Sequence, residues 1–104
     1  MTNPPTELDG AILLWFTPPR PEQNYGFVSY VDENHEIDYN RKEPISALAI
    51  CQYSGSDEVY VFACNAQWRV IGDLVYDSVE EAKTDAERYY NETQPIYWIK
   101  LGDN

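Results

Sequence analysis

Short apolar runs alternate along the chain with polar, proline- or glycine-bearing breaks, and these breaks set the element order. AILLWFT (11–17) is apolar on both faces, the pattern of a strand buried from two sides within a sheet. The prolines of PPRP (18–21) stop it because they cannot donate to a ladder, and a rigid connector is the expected role of that bend. NYGFVSYV (24–31) alternates, with Tyr25, Phe27, Ser29 and Val31 on one face and Gly26, Val28 and Tyr30 on the other. The polar DENHE run turns the chain, and EIDYN (36–40) returns as a short antiparallel strand that Glu43-Pro44 breaks. ISALAICQYS (45–54) mixes helix-favouring Ala47, Leu48 and Ala49 with strand-favouring Ile50, Cys51 and Tyr53. It reads as a turn followed by a strand near 48–53. SGSD (54–57) is a turn with Gly55 inside it.

EVYVFAC (58–64) is the strongest strand, rich in β-branched and aromatic residues. NAQ (65–67) turns it back into a Trp-led strand, WRVIGD (68–73), which LVY (74–76) extends or leaves. A helix then starts at Ser78, whose hydroxyl can accept from an orphan first-turn amide, and Glu81 completes an S-x-x-E capping box. Over 79–91, Val79, Ala82, Ala86, Tyr89 and Tyr90 share one side, and Glu80, Glu81, Thr84, Glu87 and Arg88 the other. Thr93-Gln94-Pro95 ends the helix, and IYWIKL (96–101) is a last strand. The expected fold is α+β. A single curved sheet of about five to six strands, antiparallel or mixed, carries one amphipathic helix on a face, and a final strand follows the helix. Whether that strand runs parallel to a neighbour or caps an edge is left open. At 104 residues the chain is one domain, 1–104, with 1–10 expected to form a loose N-terminal segment.

Charge changes the picture most. Eighteen acidic against seven basic residues give −11, which repels a nucleic-acid backbone and an anionic membrane surface alike. No direct nucleic-acid binding and no membrane association are expected; a basic protein partner fits the sign. The longest apolar run, Ala11 to Phe16, is too short to span a bilayer, and no secretion signal opens the chain. Two cysteines, Cys51 and Cys64, make no disulfide framework, so cytoplasmic residence with reduced thiols is expected.

Candidate chemistry narrows to surface carboxylates. His35, the one histidine, has no nucleophile-placing motif near it and reads as a solvated turn residue. No His/Cys cluster has zinc spacing. Asp32, Asn34 and Glu43 fall at calcium-loop positions one, three and twelve, but Ile37 stands where the sharp turn needs glycine and the flanks read as strand. No glycine-rich phosphate loop is present. A non-enzymatic protein with no cofactor and no metal is expected. Asp32, Glu33, Glu36 and Asp38 form one acidic block, Asp57 and Glu58 a second, and these six are the candidate partner-binding residues.

The stretch from Val59 to Trp98, with YVFACNAQWRVIGDLVYDSVEEAKTDAERYY and the later Trp98, resembles small immunity proteins of bacterial polymorphic toxin systems. The shared layout is a strand, a turn, a Trp-led strand ending in Gly-Asp, an Asp-Ser-capped helix and a Trp-bearing last strand. The resemblance implies a cytoplasmic inhibitor that blocks one toxin domain, often a nuclease, and it brings no catalytic residues. Two other expectations stand beside it. One is a polyanion mimic that inhibits a nucleic-acid-binding protein; the other is an accessory structural subunit.

Overall fold

The computed structural model describes residues 3–18, 25–90 and 96–101. In chain order these form β1 (Glu7–Leu8), β2 (Ala11–Phe16), β3 (Phe27–Val31), β4 (Ile37–Pro44), β5 (Ala47–Gln52), β6 (Val59–Cys64), β7 (Val70–Tyr76), α1 (Val79–Tyr90) and β8 (Ile99–Lys100). The α+β class holds. The main sheet runs β1-β2-β5-β6-β7, antiparallel throughout and curled into a half-barrel, with α1 and then β8 at its C-terminal end. Strand β8 pairs antiparallel with β2 (Trp15 opposite Lys100, Phe16 opposite Ile99), while β1 pairs with the start of the same strand (Ile12 opposite Glu7). Since β5 holds the other side of β2, β1 and β8 share one edge between them. That settles the direction of the last strand.

The period of two in β5 explains the core. Leu48 and Ile50 point into a cluster with Val59, Val61, Ala63, Ala82 and Ala86, on the side that α1 covers. Ala47, Ala49 and Cys51 point the other way, to Ala11, Leu13, Phe62, Cys64 and Trp68. Small residues on that second face leave room for the sheet to curl round the Phe62 and Trp68 rings into an open half-barrel. Cys51 lies opposite Tyr60 and Cys64 opposite Ala47, four positions apart along the ladder, and both thiols are free. Burial pushes each thiol up to about 12.

The helix begins as its cap predicts. Glu81 N donates to Ser78 Oγ at 3.1 Å, and Glu81 Oε2 accepts from Asp77 N at 3.3 Å. Ala82 and Ala86 are buried, and Tyr76 at the end of β7 donates its hydroxyl to Asp85. Tyr89 departs from the expected stripe and is exposed; the side chain of Tyr90 lies outside the described residues. Ala82 and Ala86 let the helix backbone approach the sheet closely, and Val79 packs against the same cluster.

Three local expectations change. Strand β4 is longer than the expected 36–40: it continues to Pro44, opposite Phe27, and ends there, at the proline. Trp68 is not in a strand. It sits in the turn before β7 at φ 61°, with its ring buried in the inner cluster. Strands β3 and β4 also pair only with each other, as a hairpin outside the main ladder. Most of PPRP, residues 19–21, and the helix stop at 93–95 lie outside the described residues.

Candidate functional site

The β3–β4 hairpin is fastened at its base and open at its tip. At the base, Tyr25 and Ile45 enter the helix-side cluster, Ile45 N donates to Gly26 O at 2.9 Å, and Val28 lies over Gly72 of β7. Gly26, at φ 92°, bends the chain so that Tyr25 is buried while Phe27 faces out. Beyond it the strand alternates strictly. Val28 and Tyr30 are half-buried, and Phe27, Ser29 and Val31 are exposed.

The tip is rigidly built. Asp32 Oδ1 accepts from Asn34 N at 2.8 Å and from Glu36 N at 3.1 Å, Asp32 N donates to Glu36 O, and His35 N donates to Asp32 O. His35 takes φ 62°, a conformation that histidine tolerates better than most side chains. It serves the turn by its backbone, and its ring is exposed. Asp32, Glu33 and Glu36 are exposed around this turn, and Asp38 sits one step back, opposite Tyr30. Asp57 and Glu58 are exposed on a different turn, between β5 and β6, where Glu58 N donates to Ser56 Oγ. No hydrogen bond among the described residues joins the two acidic blocks. The first block is therefore a built feature of the hairpin, and the second is a separate patch.

Beside the tip lie residues that sequence reasoning did not single out. Val31 and Ile37 pair across the hairpin and are 58% and 51% exposed, and Phe27, on the same outer face, is 60% exposed. The alternation of 24–31 is visible in the sequence, but both faces carry apolar residues, so periodicity alone does not say which one meets the core. Burial of Val28 over Gly72 decides it.

Behind the tip, Tyr30 donates its hydroxyl to Glu43 Oε2 at 2.6 Å, and Asn65 Nδ2 donates to Glu43 Oε1 at 2.7 Å. These two donors, with Tyr30 first, hold the Glu43 carboxyl below its usual range. The same bond raises the Tyr30 phenol. Glu43 thus ties the hairpin to the β6–β7 turn, and Asp32 is committed to backbone amides. The two carboxylates that calcium-loop spacing would bring together are engaged apart. Among the described residues, no three His, Cys, Asp or Glu side chains group closely enough to hold a metal ion, and no helix is long and apolar enough to cross a membrane. In comparisons with known proteins, the chain matches no family model, no curated protein and no solved structure.

Proposed function

We propose that the chain is a non-enzymatic acidic binding protein that neutralises a basic protein target, in the manner of an immunity protein blocking a cognate toxin domain in the cytoplasm. One observation carries this reading: an exposed apolar pair, Val31 and Ile37, is rimmed by the Asp32, Glu33 and Glu36 carboxylates on a hairpin outside the main sheet. Apolar anchors beside a mainly acidic rim, with Arg41 on one flank, suit a partner of mainly the opposite sign. The anchors supply affinity, and the charges supply steering and orientation. The rigid turn lowers the entropy lost when a partner docks. The −11 net charge extends the attraction beyond contact distance.

The test is a tagged pull-down from the native lysate at low and moderate salt, with mass spectrometry of the eluate. One basic protein is expected, with an association rate that falls as salt rises. A quadruple variant, Asp32→Asn, Glu33→Gln, Glu36→Gln and Asp38→Asn, should slow capture, while the amide oxygen introduced at position 32 still accepts from the two turn amides. Many nucleic-acid binders lost together at moderate salt would indicate polyanion mimicry instead. Capture that the quadruple variant and a Val31→Ser/Ile37→Ser variant both leave unchanged would remove the hairpin from the reading.

A further inference from the structure

The two edges of the main sheet are guarded differently. One is shared by β1 and β8, each two residues long, with Lys100 in β8. Short strands and lysine are ordinary guards against pairing with another chain. The other edge is β7, which has seven residues and neither lysine nor proline. Among the described residues, β7 pairs with β6 on one side and with no strand on the other. Its ladder skips Ile71 and is regular from Gly72 to Tyr76.

What covers β7 stops short of its middle. Val28 of the hairpin lies over Gly72 at one end, and α1 begins beyond the other, at Val79. Between them Asp73, Leu74 and Val75 are exposed in succession. Alternate strand residues point to opposite faces, so both faces are open here. Leu74, opposite Val61, is 42% exposed on the helix side, and Val75, opposite Tyr60, is 50% exposed on the other.

The lie of α1 sets the charge beside this edge. Lys83 is turned towards β2, its ammonium 3.2 Å from the centre of the Trp15 ring, while Asp85 accepts from Tyr76 of β7. Tyr76, Glu80, Glu81, Thr84 and Asp85 line an open cleft of about 500 Å³. Asp73 and Asp77 are exposed on either side of Tyr76 in the chain. Against these carboxylates stand Arg88 of α1 and, before the far end of β7, Arg69, which acts on Glu43. The open stretch is therefore acidic as well as apolar.

We propose that the free edge of β7 receives an extended, lysine- or arginine-bearing segment of a partner protein, which joins the sheet as a further strand. Its backbone pairs along Gly72–Tyr76, its side chains cover Leu74 and Val75, and a cation enters the Glu80–Asp85 cleft. A second copy of this chain is a poor occupant, since each copy brings Asp73 and a net charge of −11 to the junction. The edge uses none of the hairpin-tip residues, so it stands or falls independently of the docking reading.

The test is a titration of the full chain with a short capped peptide of alternating valine and lysine, followed by amide hydrogen exchange. Saturable binding is expected, with protection gained within Gly72–Tyr76. Replacing the peptide's valines by proline keeps every lysine but removes the donors that pair strands, and should weaken binding about tenfold or more. Asp73→Lys, at an exposed position, places a lysine guard on the edge and should weaken it by about as much. Glu80→Gln/Asp85→Asn, in which the amide oxygen at position 85 still accepts from Tyr76, should weaken it about threefold or more and serves if Asp73→Lys does not fold. The quadruple tip variant should bind the peptide as the native chain does; loss of binding there would place the peptide at the tip and overturn the edge. Equal binding of the proline peptide, protection gained elsewhere, or an unaltered response in Asp73→Lys would overturn it too. Protection at Gly72–Tyr76 that grows with the concentration of the chain alone would assign the edge to a second copy instead.

Discussion

Strand β5 and the β3–β4 hairpin are neighbours in sequence and behave in opposite ways. In β5, Ala47 to Cys51 are all buried, because the strand lies mid-sheet with one face in the helix-side cluster and the other in the curl of the half-barrel. The hairpin buries one face only and shows Phe27, Val31 and Ile37 on the other, although these side chains are no less apolar than those of β5. Topology makes the difference, since only the pairing order places β5 between two layers. Burial tracks stability, and unpaired apolar surface beside fixed charge tracks recognition.

The largest expected effect is in β5. Leu48 is 0% exposed in the helix-side cluster, and Leu48→Ala removes a packed side chain that the sheet and helix cannot collapse to replace. A loss of about 2–5 kcal/mol in urea unfolding is expected. A loss no greater than that of a surface substitution would mean that β5 is not the centre of the core.

This contrast also marks what the sequence could convey. Elements built by local chemistry were legible: the Ser78 cap starts α1 where its hydroxyl can reach Glu81 N, and Gly55 closes its turn at φ 82°. Features that depend on distant partners were not legible. Trp68 reads as a strand residue because tryptophan favours strands, but a left-handed turn delivers its ring to the inner cluster, and no local signal distinguishes the two outcomes. Pro44 does end β4, as its chemistry requires, but nothing local shows that the strand continues beyond residue 40 to reach it. Of the candidate site, the acidic tip could be read directly from DENHE. Its apolar partners could not, since they require the register and the fold-back onto β7.

A middle-sized effect should separate the two regions by pH. Glu43, whose carboxyl is lowered by Tyr30 and Asn65, is a polar tie between the hairpin and the β6–β7 turn. A carboxylate depressed in the folded state contributes stability above its unfolded value, and that contribution is lost as pH falls through the lower, folded value. Hydrogen exchange across that acidic range, corrected for the intrinsic rate, should show hairpin amides losing protection while β5 amides keep theirs. Glu43→Gln should abolish the pH dependence of the hairpin. Parallel loss in both regions would mean that they open as one unit.

The smallest effect is the most telling for function. Val31→Ser and Ile37→Ser change side chains that are more than half exposed and pair with each other across the hairpin. Each should alter stability by no more than about 0.5 kcal/mol, as surface positions do. A residue kept apolar for the core would be costly to change, whereas one kept apolar for a partner is nearly free until the partner is present. If Ile37→Ser costs as much as Leu48→Ala in the isolated chain, the outer face of the hairpin is packed in solution and is not available as a docking surface. A negligible cost together with loss of target capture would place the binding energy at the tip and the folding energy in β5.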